Sequence, residues 1–324
     1  MRVRCSNRRG VALILVLMVI SIITALTIQL NRDTRSGIYE AANLSDGIRL
    51  RYIAESGFHV GEALLMADKN AFDALTELWA NTEMISLQSE RFFDLGSFKL
   101  MIEDEGGKIA VNRLVSGNGY NPPIRDLLLR LLTGPYFRLE QGKAIELVEA
   151  IKDWIDADDA VTGGGAERAF YAAREIPYTA KNAPLDCIEE LLMVKGVSPD
   201  LFYGKGDSPG LSRCLTVFGD GRVNINTAPK YVLRALAEEM TDDEVERFDK
   251  YRRDERNALA DPLWYQKLPR AAGINIPASL ITVQSGIFRV TAVGFQGRAA
   301  ERITGVIKRE PSRRTVKLLS WKVE

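Results

Sequence analysis

Residues 11–28 read VALILVLMVISIITALTI, and this stretch decides the architecture of the chain. The sequence contains no charged residue between Arg9 and Arg32. As a helix rising ~1.5 Å per residue the run is roughly 27 Å long, which is close to the thickness of the hydrocarbon core of a bilayer. The sequence therefore predicts one membrane-spanning helix over residues 11–30.

The ten residues that precede this helix form a basic stub. They contain four arginines and no acidic residue. Because basic residues stay on the cytoplasmic side of a membrane helix, the chain that follows is expected to cross the membrane. The stub ends at Gly10-Val11 and resembles a prepilin leader, residues 1–10, that is cut between these two residues. A plain signal anchor and a secretory signal cut near Thr27–Leu30 are the alternatives, although the latter stretch is a poor cleavage site.

One position departs from the usual prepilin pattern. Most prepilin-like proteins have Glu five residues after the cut, where this chain has Leu15. A carboxylate inside an apolar helix is costly unless it is paired, and in such filaments it can pair with the N-terminal amine of a neighbouring subunit. A subunit at the end of the filament lacks that neighbour, so Leu15 indicates an end position.

The composition is that of a folded protein and argues against two classes of function. The 324 residues are 46% hydrophobic and carry equal numbers of basic and acidic groups. Without the leader arginines the chain is mildly acidic, so no nucleic-acid partner is expected. The single histidine, His59, has no thiol or serine beside it that would suggest a triad. We therefore expect a structural protein and not an enzyme.

The order of the sequence patterns predicts an α+β fold. A helical pattern continues past the membrane run, and Phe98–Glu103 alternates apolar and polar residues as a half-buried strand does. GKIAVN at 107–112 is echoed by GRVNIN at 221–226, which suggests two related helical units, each entered from a strand. Further strands are predicted at 288–293 and 302–307, joined by a hairpin loop. The predicted divisions are 1–10, 11–30, 31–111 (helix and first strands), 112–217 (inserted helical domain), 218–310 (second helical unit and last strands) and 311–324 (tail).

The chain has its highest density of potential ligand residues in an acidic cluster that is followed by three glycines. Its carboxylates are Asp153, Asp156, Asp158, Asp159 and Glu167, and the glycines are Gly163, Gly164 and Gly165. Hard oxygen ligands on a glycine-rich loop suit calcium. Ala160 and Val161 occupy the positions where an EF-hand needs an acid and a glycine, so an EF-hand is excluded. The alternative is a solvated helix end, although Asp at a helix C-terminus opposes the helix dipole.

Two cysteines lie in the body of the chain. Cys187 and Cys214 could form a disulfide if the body is exported. Two buried free thiols are an equal alternative, because the sequence does not show whether their Cα atoms approach.

Several motifs together resemble the GspK family of type II secretion minor pseudopilins along nearly the whole chain. They are RGVAL (9–13), Leu15, DWIDADD (153–159), GGAE (164–167) and VNINTAP (223–229). The resemblance implies a leader cut after Gly10 by prepilin peptidase, N-methylation of Val11, an anchor in the bacterial inner membrane and a periplasmic body. It also implies a pilin-like long N-terminal helix packed on a small antiparallel sheet, with a large inserted all-α (SAM-like) domain.

The resemblance further implies a role and its partners. Such subunits sit at the pseudopilus tip with GspI-like and GspJ-like subunits and help to start assembly. The inserted domain is expected to bind calcium through Asp153, Asp156, Asp158, Asp159 and Glu167. Family members often have an Asp before paired aromatic residues at this point, where this chain has Arg168. A second calcium site near Arg168 is therefore in doubt.

Two other functions remain open at this point. A type IV pilus-like minor pilin would share the leader and the anchor but would assemble with different partners. Val223–Pro229 also resembles the opening of helix-hairpin-helix modules in membrane-anchored DNA receptors. Against the second function, Met240–Asp243 forms an acidic turn without the Gly-x-Gly that grips phosphate.

Overall fold

The computed structural model describes residues 8–269, 271–310 and 315–324, with side chains at all of these positions except 8–10 and 272. Residues 1–7 of the predicted leader lie outside the described residues. The described chain forms a long N-terminal helix, a four-stranded antiparallel sheet, and a helix-rich insert between two strands of that sheet. The predicted α+β class is confirmed.

The elements follow one another along the described residues. The α-helices are α1 (Arg8–Ala67), α2 (Glu83–Gln88), α3 (Pro122–Thr133), α4 (Gln141–Ile155), α5 (Arg168–Ala172), α6 (Pro199–Tyr203), α7 (Lys230–Ala235) and α8 (Asp242–Arg252). The strands are β1 (Ser97–Asp104), β2 (Ile109–Ala110), β3 (Val115–Ser116), β4 (Gly119–Tyr120), β5 (Leu215–Thr216), β6 (Val223–Asn224), β7 (Ile281–Thr282), β8 (Ile287–Gln296), β9 (Ala299–Glu310) and β10 (Thr315–Val323). Short 3-10 helices span Ser89–Phe92, Glu105–Gly107, Val111–Leu114, Ile188–Met193, Leu211–Arg213, Trp264–Lys267, Ala271–Gly273 and Ala278–Leu280.

α1 joins the predicted membrane run and the folded body in one helix. Every side chain from Val11 to Ser45 is exposed, and full burial begins at Leu50. By length and composition, this helix could span a membrane within Val11–Ala67. Beyond Leu50 the helix packs on the sheet through Ile53 and Phe58, which are 2% and 1% exposed. The first part of α1 therefore has no cover within the described chain, whereas the last part belongs to the core.

Two glycines allow α1 to approach the sheet closely. A Cβ on Gly57 would lie 2.8 Å from Cγ of Phe98, and one on Gly61 would lie 2.7 Å from Cγ1 of Val290. Glycine is a weak helix former, so these positions lower the helical signal of the sequence. The helix persists because most of the stability of a helix in a protein comes from packing of its apolar face.

The sheet has the strand order β1-β8-β9-β10, and each neighbouring pair is antiparallel. β1 alternates buried and exposed residues as predicted. β8 and β9 form a tight hairpin in which Gln296 lies opposite Ala299. Gly297 occupies the turn with φ of +60°, a left-handed conformation that glycine adopts readily. The predicted C-terminal strands and their hairpin are confirmed, and each strand is longer than predicted.

The outer edge of β1 is closed by hydroxyl groups. The Ser89 hydroxyl accepts from Phe98 N and donates to Phe98 O, both at 3.0 Å. Leu100 N donates to the Ser86 hydroxyl at 3.0 Å, and the Thr82 hydroxyl donates to Leu100 O at 2.6 Å. Side chains around α2 thus pair backbone groups that an open edge would offer to another strand.

The prediction of a tail over residues 311–324 is wrong for Thr315–Val323, which form β10. This strand pairs with β9 from Thr315 opposite Glu310 to Val323 opposite Ile303, with an irregularity between Leu318 and Ser320. The short basic segment before it obscures the strand signal in the sequence. Long-range pairing with β9 supplies the stability that its local pattern lacks.

The predicted boundary at residue 217 divides what is one domain in the structure. The chain leaves the sheet after Asp104 and returns at Ile287, so the insert takes up more than half of the chain. Its buried apolar residues form one core that runs from Ile109 to Val283. Residues 218–286 therefore belong to the insert, and residues 287–310 belong to the sheet. The insert also contains paired two-residue strands, so it is helix-rich but not purely α.

The internal sequence echo has a structural counterpart. β2 lies in the first echoing segment and pairs in parallel with β5, whereas β6 lies in the second and pairs in parallel with β7. Each echoing segment therefore opens a helical unit whose end returns beside its start. The two units share one core because their apolar faces pack against each other.

A buried polar network joins the insert to the sheet at Asp104. One Asp104 oxygen accepts from Asn224 Nδ2, the Thr227 hydroxyl and the Ser285 hydroxyl at 3.1, 2.5 and 2.6 Å. The other accepts from Gly106 N at 2.7 Å. Burial raises the pKa of Asp104 above its ordinary value, although these hydrogen bonds favour the ionised form. The network links the beginning, middle and end of the insert.

The close approach of α1 to β8 yields a prediction at Gly294. A Cβ there would lie 2.4 Å from Leu50 O and 3.0 Å from Ala54 N, both atoms of the α1 backbone. We expect Gly294→Ala to lower the free energy of unfolding of the full chain in detergent by about 1–3 kcal/mol, as overpacking does. Gly286→Ala is the control, since its nearest contact would be at 3.9 Å. Equal denaturant midpoints for the two variants would contradict the packing argument.

Candidate metal centre

The acidic cluster lies where α4 ends. Ala144, Leu147, Val148, Ile151 and Ile155 recur at helical spacing and are buried in the insert core. Packing of this face fixes the helix, and the acids lie at its C-terminal end. Asp153 lies in the last turn, and Asp156 is the first residue with extended backbone. Both carboxylates therefore stand at the negative end of the helix dipole, which disfavours them unless a cation is present.

A chain reversal brings Glu167 back to these two residues. One carboxylate oxygen each from Asp153, Asp156 and Glu167 lie within 4.8 Å of one another. We call these three residues the carboxylate triad. They are 0%, 1% and 2% exposed. Glu167 precedes α5, so two helix ends and the loop between them form the site.

Several oxygens of the carboxylate triad have no partner among the described residues. They are Oδ1 of Asp156 and both carboxylate oxygens of Glu167. Burial raises the pKa of Glu167 to about 7, and the four nearby aspartates contribute to this rise. Burial likewise raises the pKa of Asp156, although Lys152 opposes this shift. Buried polar atoms are normally paired, so these oxygens are free to bind a cation.

The three glycines let the loop lie directly on α4. A Cβ on Gly165 would lie 2.1 Å from Oδ2 of Asp153, and one on Gly164 would lie 2.6 Å from Cγ of Glu146. Gly163 has φ of +52°, and its Cβ would lie 2.5 Å from Oε1 of Glu149. Each glycine therefore lies against an acidic side chain of the helix. The sequence predicts a glycine-rich loop, and the structure explains the need for all three glycines.

Backbone and lysine contacts hold this loop. Thr162 N donates to both oxygens of Asp153 at 3.2 and 3.1 Å, and Gly164 N donates to Oε2 of Glu149 at 2.6 Å. Lys195 Nζ donates to the carbonyls of Gly164 and Gly165 at 2.9 and 3.2 Å. Asp153 is thus fixed by the loop, whereas the carboxylate of Glu167 makes no hydrogen bond within the described part of the chain.

Asp158 and Asp159 lie outside the carboxylate triad. Asp158 is half-buried and accepts from Ala160 N at 2.9 Å. Asp159 is exposed and accepts from Asn182 Nδ2 at 3.1 Å. The structure therefore brings together three of the five predicted carboxylates, and the other two order the loop. Arg168 directly follows Glu167 and is exposed.

Two contributors to the site are missing from the sequence prediction. Lys152 is buried beside the triad and pairs with Asp156. Its spacing, four residues before Asp156 on a helix, is the sequence signal that could have identified it. Tyr171 packs edge-on against Trp154 with ring centroids 5.1 Å apart. Both rings are buried near residues of the triad in the sequence, and only the fold reveals their contact.

The cysteines of the body are not bridged in the structure. Cys187 is exposed and Cys214 is buried, and both are free thiols. Burial raises the pKa of Cys214 to about 12, so this thiol stays protonated near neutral pH. Cys214 is a core residue of the insert. Both thiols are therefore free in the structure, but only Cys214 is buried as the free-thiol alternative expected.

The segment that resembles a DNA-receptor motif is used inside the core. Asn224 and Asn226 are both fully buried. Asn224 Nδ2 donates to Asp73 O at 3.1 Å, and Asn226 accepts from Trp264 Nε1 at 2.8 Å. These asparagines therefore hold the insert together instead of presenting polar groups to a ligand.

The sequence and the fold of the chain both match known proteins. Residues 107–203, which include the carboxylate triad, match the family described as type II secretion system (T2SS), protein K. The type II secretion system protein K of Pseudomonas aeruginosa is 28% identical over 244 residues, covering 72% of this chain and 69% of that protein. The putative type II secretion system protein K of Escherichia coli K12 is 24% identical over 202 residues.

The family model, the sequence relatives and the fold all match the type II secretion system protein K family. The match spans 61% of the chain and 60% of the length of the E. coli protein. A chain in the crystal structure of the GspK-GspI-GspJ complex of enterotoxigenic E. coli superposes with a TM-score of 0.67, at 17% identity. That superposition covers 88% of this chain and 99% of the other. The protein K fold therefore extends well beyond the matched family segment.

The contact between the glycine loop and α4 yields a prediction at Gly165. We expect Gly165→Ala to lower the free energy of unfolding by about 1–3 kcal/mol, because the new methyl group displaces Asp153 or the loop. Gly142→Ala is the control, since Gly142 lies on α4, against which the loop packs, and its Cβ would have nothing within 4 Å. That control should be neutral or stabilising by up to about 1 kcal/mol. Denaturant unfolding of the full chain in detergent measures both, and a neutral Gly165→Ala would contradict the geometry.

Proposed function

We propose that this protein is a minor pseudopilin of a type II secretion system, located at the pseudopilus tip, where it nucleates or caps assembly. It is anchored in the bacterial inner membrane by α1 and carries its body in the periplasm. One observation carries the proposal. α1 is a single helix whose apolar first part is wholly exposed and whose last part forms the core of the sheet.

The exposed part of α1 needs a surrounding that the described chain does not provide. Its apolar side chains point to all sides of the helix from Val11 to Leu30. Such a helix is stable in lipid or when packed among other apolar helices. If α1 is a membrane anchor, lipid surrounds its apolar side chains before assembly. After assembly, the apolar helices of neighbouring subunits surround them. The protein K relatives support the assignment to secretion.

The large insert supports a place at the end of the assembly. It departs from the sheet at Asp104 and returns at Ile287, so it adds its bulk at the end of the strands. Leu15 replaces the acid that would pair with a neighbouring subunit. Both features fit a subunit at the tip of the filament, beyond which no further subunit is added. The GspK-GspI-GspJ complex supports GspI-like and GspJ-like subunits as partners.

The intact mass of the full chain, expressed with and without prepilin peptidase, tests the leader. With the peptidase we expect loss of residues 1–10 and one added methyl group on Val11. Without it, the chain should keep its full length. An uncut chain, or a cut beyond Ile28, would refute the pseudopilin assignment and favour a plain anchor or a secretory signal.

A second readout of the same preparation separates the secretion role from a type IV pilus. Native mass of the processed chain, mixed with GspI-like and GspJ-like subunits, should give a complex with one copy of each. Minor pilins of a type IV pilus serve as the comparison partners. Preference for those partners would support the type IV alternative, and a salt-dependent shift with duplex DNA would support the DNA-receptor alternative.

Calcium binding at the carboxylate triad is a further part of the proposal. The donors are hard oxygens, which calcium prefers. The unpartnered oxygens of Asp156 and Glu167 are suited to a bound cation, and Asp153 is held in place by the loop. Bound calcium would neutralise buried charge and join α4, the glycine loop and α5. The triad therefore acts as a structural clamp in the insert and has no catalytic role in this proposal.

The calcium proposal predicts a ligand-dependent stability. We expect calcium at about 100 times its dissociation constant to stabilise the full chain by about 2.7 kcal/mol relative to the chelated protein. Glu167→Gln should abolish this response, because it removes the unpartnered carboxylate. Asp159→Asn, which lies outside the triad, should retain it. Melting temperatures in chelator and in calcium measure the effect. A retained response in Glu167→Gln would overturn the assignment of the ligands.

A further inference from the structure

A buried lysine lies against the carboxylate triad. Lys152 immediately precedes Asp153 on α4, and its side chain is 8% exposed. Its Nζ pairs with Oδ2 of Asp156, lies 3.9 Å from Oδ1 of Asp153 and donates to the Thr162 hydroxyl at 2.8 Å. Burial of an ammonium group is costly unless it is paired, so these contacts account for its place in the core.

The ammonium group of Lys152 makes no hydrogen bond to any of the unpartnered oxygens of the triad. It pairs with Oδ2 of Asp156, whereas Oδ1 of Asp156 and both oxygens of Glu167 have no partner among the described residues. Lys152 therefore flanks the triad without filling it. The three free oxygens stay available to a second cation.

The charge of the site follows from this arrangement. Counted alone, with all three carboxylates ionised as they would be around a bound cation, the triad and Lys152 sum to about −2, which a divalent cation cancels. Asp158 and Asp159 lie outside this set, one half-buried and the other exposed. Glu149 and Lys195, which hold the glycine loop, carry opposite charges and cancel each other. Without Lys152, the same site would be one unit more negative and would match a trivalent cation.

We infer that Lys152 is a positioning residue that sets the charge of the metal centre. It holds Asp156 by one oxygen so that the other stays free, and its positive charge reduces the electrostatic advantage of a trivalent over a divalent ion. It also compensates part of the buried negative charge when no metal is bound. This inference rests on the calcium proposal above and adds to it the residue that governs selectivity.

The test compares lysine variants in the full chain, processed and held in detergent at pH 7.5. Lys152→Met removes the charge and keeps a long side chain, and Lys152→Gln removes the charge but keeps a donor group. Lys152→Arg restores the charge. Lys143→Met is the matched control, since Lys143 lies on the same helix but its side chain is 74% exposed. The probes are calcium and terbium, with terbium luminescence excited through the protein's tryptophans.

We expect the ratio of calcium to terbium dissociation constants to rise about tenfold or more in Lys152→Met and Lys152→Gln. One unit of charge at ion-pair distance acts more strongly on the trivalent ion. Lys152→Arg should stay within about threefold of the wild type, and Lys143→Met should not change. In chelator, Lys152→Met should melt below the wild type, and calcium should raise its melting temperature by more.

The outcomes separate this inference from the proposal on which it rests. If the wild type shows neither stabilisation by calcium nor displacement of terbium by calcium, the calcium site itself is refuted. If the wild type responds but neither neutral variant changes the ratio, the role of Lys152 is refuted. If Lys152→Met does not fold, Lys152→Gln decides the question by the same ratio. A shift in Lys143→Met equal to that in Lys152→Met would also refute the inference, because it would reflect the overall charge of the protein.

Discussion

β1 and β8 are neighbours in the sheet although more than half of the chain lies between them, and this pairing is the constraint on which the rest of the structure depends. The pairing places Asp104 opposite Phe288. The insert must therefore begin and end at the same corner of the sheet. The buried Asp104 network secures this corner, because it binds side chains from the middle and the end of the insert. A loosened corner would release both the insert and the pairing of β1 with β8.

A second charged contact strengthens the same corner. Burial pushes the pKa of Glu105 upward, but Lys108 and Arg289 outweigh it and hold the pKa below its usual range. Lys108 and Arg289 each lie 2.8 Å from Glu105. Because Arg289 belongs to β8, this cluster joins the first residues of the insert to the returning strand. Fixed charges at a buried junction favour one geometry, since any other would leave a charge unpaired.

The carboxylate triad and the junction use buried acids in different ways. Asp104 receives hydrogen bonds at both oxygens and is complete within the chain. Glu167 has two unpartnered oxygens among the described residues, so its surroundings are incomplete. Hydrogen-bond pairing therefore separates a structural carboxylate from one that is suited to a cation. The number of acidic residues in a segment is a poorer guide. Both sites depend on glycine or on turns that bring backbone N–H groups close to a carboxylate.

By itself the sequence determined the apolar N-terminal helix, the strand alternation of β1, the C-terminal hairpin and the acidic, glycine-rich motif. Each of these is a local pattern, and local spacing is enough to predict it. Only the tertiary structure decided that residues 218–286 belong to the insert, that Thr315–Val323 form a strand, and that Asp158 and Asp159 stay outside the carboxylate triad. These outcomes depend on contacts between residues far apart in the chain. A shared core, a distant strand partner and a chain reversal contribute free energy that no local pattern contains.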